Sequence, residues 1–243
     1  MNGSGADAFY TGLVADLYGP LKSTSFDPFR YRDLILQHGQ PALELGCGDG
    51  DPLLDLRAMG LDVDGMDSSP DMIARLRERA DGRGLAVKAW VDTMEGMTVP
   101  RRYETVFLAG PTFNLLPTDK AMRDALGSIR GALTDGGTAI VPVFVPEPVA
   151  PSMIGRGNRQ ETSDGWIGYR VVAVVRDDVA RTHTTTLLYE REAGGVYEHV
   201  QRDWLLHWID VTALSALAAQ AGLRIVDAPG SIGHDVRDIV LQR

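Results

Sequence analysis

The chain of 243 residues holds a single cysteine, Cys47. That excludes an internal disulfide and any metal cage built from several thiolates, and makes a reducing cytoplasm the simplest setting. No apolar run approaches the roughly 18 residues needed to cross a bilayer. The opening "MNGSGADAFY" also lacks the basic start and apolar core of a secretory signal. Positive charge is scarce: 24 Lys and Arg stand against 33 Asp and Glu, a net charge of −9. A binder of polyanions carries a basic stripe. Here the densest basic stretch, "RLRERADGR" (75–83), interleaves acids and reads as a solvated helix face. Neither nucleic acid nor membrane is expected as a partner.

What is present, 44% hydrophobic and 23% charged residues, suits an ordinary globular protein. At this length one domain spanning 1–243 is expected. Short β-rich runs alternate with helical stretches from about 27 to 145. Strands are predicted at 41–46, 61–67, 85–91, 105–110 and 138–145, and helices near 51–59, 68–80 and 118–133. Ser69 and Pro70 mark the start of the second of these helices, and "TDGG" (134–137) reads as a tight turn. Such alternation predicts an α/β fold, a parallel sheet covered on both faces.

The rhythm breaks at "PEPVAP" (146–151). Three long strands follow, at 166–176, 181–191 and 196–208, with "AGG" (193–195) as a hairpin turn. Residues 152–208 therefore read as an antiparallel meander inserted after strand five, and 1–26 as an N-terminal cap segment. A helix at 211–222, capped by Asp210, and two strands at 223–228 and 236–242 complete the chain.

The segment "PALELGCGDGDP" (41–52) sets Gly46, Gly48 and Gly50 directly behind the first strand. A phosphate-cradling loop would end in Lys followed by Ser or Thr, and this one runs into Asp51 and Pro52. A nicotinamide fingerprint is G-x-G-x-x-G; here the third glycine comes one residue early, and Glu44 precedes the first. A carboxylate there suits a ligand bearing an ammonium group. Asp67 ends strand two, where it can accept from both hydroxyls of an adenosine ribose. Asp92 ends strand three, placed to accept from an adenine amino group, and the thioether of Met72 is expected against the adenine face.

Residues 41–145 thus resemble a class I S-adenosylmethionine-dependent methyltransferase. The resemblance implies a Rossmann-like seven-stranded, mostly parallel sheet whose last strand runs antiparallel. It implies that Glu44, Gly46, Cys47, Gly48 and Gly50 cradle the methionine end of the cofactor. Asp67 and Ser68 would hold the ribose, and Asp92, Thr93 and Met94 would frame the adenine, with Ala109 closing the site after strand four. "LTDGG" (133–137) is similar to the family's L-x-P-G-G, with Asp135 in place of the proline. The order of elements resembles bacterial natural-product enzymes, aminosugar N-methyltransferases among them. "AGPTFN" (109–114) lacks the [N/D]-P-P-[Y/F] element of adenine- and glutamine-modifying relatives, and no acid cluster suggests a metal. A nicotinamide oxidoreductase and a non-catalytic S-adenosylmethionine-binding protein are the alternative readings.

The acceptor would be a small molecule presenting N, O or an activated carbon. Tyr10 and Tyr18 are expected to fold over the cofactor. Tyr10, Phe113, Trp166, Tyr169 and Trp204 are the candidates to hold the acceptor. His207 and His183 are the candidate bases, since His38 ends a surface helix and His234 falls in a terminal loop. Trp204 and Trp208 flank His207 in sequence and suggest an aromatic setting for it. Unpaired edge strands of the meander leave room for a homodimer.

Overall fold

The computed structural model describes residues 9–22, 26–228 and 236–243. His234 and parts of the N-terminal segment lie outside the described residues. The main sheet has seven strands in the order β10-β11-β5-β4-β1-β2-β3. These are β1 (Ala42–Leu45), β2 (Val63–Asp67), β3 (Ala89–Val91), β4 (Tyr103–Phe107), β5 (Leu133–Val143), β10 (Arg224–Asp227) and β11 (Arg237–Gln242). β1 pairs in parallel with β2 and β4, whereas β11 runs antiparallel to both its neighbours. This is the Rossmann-like sheet expected of the sequence. The order turns back between β1 and β4, so strand ends there open a crevice.

Helices cover both faces because their apolar stripes have a buried strand to meet. α2 (Pro28–His38), α3 (Leu53–Ala58) and α4 (Pro70–Gly82) bury Ile35, Leu54, Ile73 and Leu76 on one face. α5 (Asp119–Ala132) and α6 (Val211–Gln220) bury Met122, Leu126, Ile129 and Leu214 on the other. α4 starts where the sequence says: Ser69 Oγ accepts from the amide of Met72 at 3.2 Å. Asp210 caps α6 likewise, accepting from Ala213 N at 2.8 Å.

A second, antiparallel sheet is built from β6 (Gly157–Glu161), β7 (Gly165–Asp177), β8 (Thr182–Ala193) and β9 (Val196–His207). It has four strands, not three. β6 escapes sequence reading because "GNRQE" is polar and starts with glycine, and only its pairing with β7 makes it a strand. Gly194 and Gly195 turn the β8–β9 hairpin at φ +57° and +80°. A helix ahead of the main sheet, α1 (Leu13–Leu21), packs Val14, Leu17 and Leu21 on Ile167, Leu187 and Tyr189 of this second sheet. Each such leucine or valine contributes about 1.5–3 kcal/mol when fully buried.

"TDGG" is not a tight turn. Thr134–Gly137 lie inside β5, and the pairing with β4 jumps from Tyr103–Leu133 to Thr105–Thr138. The extra residues bulge out of the ladder, with Asp135 and Gly136 exposed.

Candidate functional site

The glycine segment follows β1 and is fastened from beneath. Gly46 N and Cys47 N both donate to Met66 O, at 2.7 and 3.0 Å. Gly46, Gly48 and Gly50 take φ of +69°, +52° and +96°, a region that penalises a side chain. A Cβ at Gly46 would lie 2.7 Å from Thr112 Cγ2, and one at Gly50 would lie 2.8 Å from Leu54 Cγ. At Gly48 a Cβ would meet nothing within 4 Å. Two glycines therefore let the chain pack, and the middle one faces open space.

Asp67 is the clasp of this loop. Its Oδ2 accepts from Gly48 N and its Oδ1 from Ser69 N, both at 2.8 Å. Burial pushes its carboxyl above the usual range, against the pull of those two amides. Asp92 accepts from Thr93 N at 2.8 Å and Thr98 N at 2.9 Å, closing the turn after β3. Between them lies a cavity of about 150 Å³ lined by Tyr10, Gly46, Asp67, Ser68, Asp92, Thr93 and Met94. Glu44 is fully buried, and neither of its carboxylate oxygens has a partner. Burial, reinforced by Asp51, holds its carboxyl well above the usual range. A buried carboxyl that the chain leaves unpaired has capacity for a further hydrogen bond, to a ligand or a water.

Tyr10 forms one wall of this cavity and also of a second, of about 380 Å³. Six aromatic rings line the second: Phe9, Tyr10, Tyr18, Tyr169, Tyr189 and Trp204, with Lys22 and Thr185 as polar members. Tyr169 and Trp204 line this cavity because β7 and β9 present alternate residues to α1. The same alternation sends Trp166 to the other face. Trp166 lies against Tyr197, with Arg159 stacked 4.0 Å from its ring, and lines neither cavity. Phe113 is fully buried in the layer under α5, Met72 is 2% exposed without lining either cavity, and Ala109 packs with the α2–α3–α4 layer. Tyr18 lines the aromatic cavity rather than the first one. Cys47 is buried, and burial pushes its thiol well up.

The two histidines part company. β8 pairs His183 with Leu206 and Thr185 with Trp204, which puts His183 on the cavity side of the sheet. His207 pairs with Thr182 and falls on the opposite side from Trp204. Its Nε2 lies 2.9 Å from Asp119 Oδ1, and Arg181 also binds Asp119. His207 therefore ties β9 to the start of α5, and the shared aromatic setting with Trp204 is not formed: three residues apart on a strand means opposite faces. His183 Nδ1 is buried without a partner; burial, then Arg176, lowers its pKa.

Sequence reasoning missed Asn114, whose buried amide donates to Phe144 O at 3.0 Å and His207 O at 3.1 Å. It missed Thr112, Leu115, Leu116 and Pro117 on the first cavity, and Lys22, Thr185, Leu187 and Tyr189 on the second. The proline-bracketed "PTFNLLP" following β4 was the one available signal. Among the described residues no group of three or more His, Cys, Asp or Glu could hold a metal ion. None of their helices is long and apolar enough to cross a membrane.

Residues 42–137 match a family described as a methyltransferase domain. Over 120 residues the chain is 34% identical to a demethylmenaquinone methyltransferase of Thermus thermophilus, which covers 48% of this chain. The chain spans about half the length of that relative, 53%. Among solved structures, the CcbJ methyltransferase of Streptomyces caelestis superposes with a TM-score of 0.76 at 21% identity, covering 96% of this chain and 97% of its own. DesVI of Streptomyces venezuelae gives 0.75 at 18% identity, over 94% and 96%. CalS10 of Micromonospora echinaspora, an amino pentose methyltransferase solved with S-adenosylmethionine bound, gives 0.70 at 18% identity, over 96% and 98%.

Proposed function

We propose, from the match of residues 42–137 to a methyltransferase-domain family, that this chain transfers the methyl group of S-adenosylmethionine to a small-molecule acceptor. The residues present fit that cofactor. Its ammonium group is the donor that buried Glu44 lacks. Gly48 leaves the space its amino-acid end requires. Each oxygen of Asp67 makes one backbone hydrogen bond and keeps capacity for a ribose hydroxyl. Asp92, Thr93 and Met94 edge the place for the base.

The cofactor supplies a methyl group already activated on a sulfonium, so the protein has to align rather than activate. Tyr10 separates the two cavities and keeps water from the path between them. Tyr169 and Trp204 hold the acceptor in the aromatic cavity, and residues 152–208 act as its lid. A neutral amine needs no further help there. For a hydroxyl or an activated carbon, His183 is the base candidate on that side of the sheet, behind the cavity lining: its lowered pKa keeps the imidazole neutral at pH 7. His207 serves as a positioning residue. The aromatic cavity suits a natural-product type of acceptor, in keeping with the amino pentose methyltransferase among the structural neighbours.

The observation that carries this reading is the shared wall at Tyr10, which joins an acid-edged cavity to an aromatic one. Calorimetric titration with S-adenosylhomocysteine and with NAD tests it. Binding of the first and not the second is expected; the reverse would sink the reading.

A further inference from the structure

Lys22 follows α1 and faces two ways. It borders the aromatic cavity, and it borders a cleft of about 630 Å³ between α1, α4 and the acids Asp49 and Asp51. Its side chain is only 16% exposed, and its Nζ lies 2.6 Å from Asp51 Oδ2. The rings of Tyr18 and Phe26 sit 5.5 and 4.8 Å from the same ammonium. An ammonium has three donors to satisfy, and Asp51 takes one of them.

Of the neighbouring cations, Arg75 holds Asp16, with its Nε buried and unpaired, and Arg79 holds Asp49 at 2.5 Å. Glu44 lies deeper, without a donor, and Lys22 is a cation whose field reaches it. An α-amino acid carries its ammonium and carboxylate on one carbon, a few ångströms apart. A site that seats the ammonium on Glu44 must meet the carboxylate close by, where Asp49, Asp51 and Asp67 would repel an uncompensated anion. A lysine with donors to spare stands at that place.

We propose that Lys22 hydrogen-bonds the α-carboxylate of the cofactor's amino-acid end, and so fastens α1 and its tyrosines over the filled crevice. The proposal rests on the methyl-transfer reading above. It makes the cofactor a strap between the glycine loop and α1, and it makes the carboxylate a requirement for tight binding.

Calorimetric titration compares S-adenosylmethionine with decarboxylated S-adenosylmethionine, which keeps the sulfonium and ammonium but lacks the carboxylate. The wild-type chain, Lys22→Met and Lys22→Arg are used, with the melting temperature of each unliganded protein recorded. The wild type is expected to prefer the complete cofactor by roughly tenfold or more, the scale of a hydrogen bond between charged groups. Lys22→Met should lose that preference by weakening the complete cofactor alone, and Lys22→Arg should restore part of it. A wild type without the preference overturns the proposal whether or not the variants fold. So does an equal loss for both ligands in Lys22→Met, which would make Lys22 a mere support of α1. So does a Lys22→Met protein that keeps the preference. A wild type that binds neither ligand fails the methyl-transfer reading itself.

Discussion

The crevice behind β1 and the inner face of the antiparallel sheet meet at Tyr10, and they are built by opposite rules. The crevice is made of backbone: three glycines at positive φ, two amides clasped by Asp67, and room for an added atom at Gly48 but not at Gly46 or Gly50. Acids surround it. The sheet face is made of side chains, rings contributed by alternate residues of β7, β8 and β9, with one lysine and no acid in its lining. A backbone-built site fails when its path is disturbed. A side-chain-built site changes its ligand when one residue changes.

The sharpest way to break the first region is Gly50→Ala. The new Cβ would meet Leu54 at 2.8 Å and Leu76 at 3.2 Å at a φ of +96°. A loss of about 2–4 kcal/mol in unfolding free energy is expected by urea denaturation. In the second region Trp204→Ala should leave affinity for S-adenosylhomocysteine within about twofold while slowing methyl transfer about 10–100-fold, the cost of a misplaced acceptor. Parallel loss of both would show that the two regions are one site.

A smaller effect separates them by pH. Glu44 has a raised folded-state pKa, so the native chain binds its proton more tightly than the unfolded chain does. Stability of the unliganded protein is therefore present below the ordinary carboxylate range and falls as pH rises toward the folded value. The slope is at most about 1.4 kcal/mol per pH unit for one proton. Glu44→Gln should flatten that slope in denaturation curves taken from pH 4 to 8; an unchanged slope would place the proton elsewhere. The smallest effect belongs to Trp166→Ala. The same residue type as Trp204, on the outer face, should cost within about 0.5 kcal/mol and leave both binding and turnover unchanged. A large loss of turnover would bring the outer face into the site.

What was legible in the sequence follows the same division. The glycine spacing, Glu44, Asp67 and Asp92 announce themselves because a backbone path must be written as glycines and its clasps as acids at strand ends. The sheet order follows from the alternation of elements. Parity was harder. Trp166, Trp204 and His207 all read as aromatic or titratable residues of the insert, and only the pairing register tells which of them face α1. β6 and the β5 bulge were invisible for a related reason: polar or glycine-rich residues become strand when a neighbour offers a ladder. Asp67 has a role the sequence did not announce, since its two backbone hydrogen bonds make it part of the loop's own stability.

Tyr10 lines both cavities at once, and that has a thermodynamic corollary. A shared wall gives two ligands a means of coupling. If a ligand in the first cavity fixes the ring and raises affinity for one in the second by some factor, the second raises affinity for the first by the same factor. A substitution at Tyr10 would then be read in the product of the two affinities rather than in either alone. The chain would favour the ternary complex over both binary ones, and spent cofactor would leave more readily once the methylated product had gone.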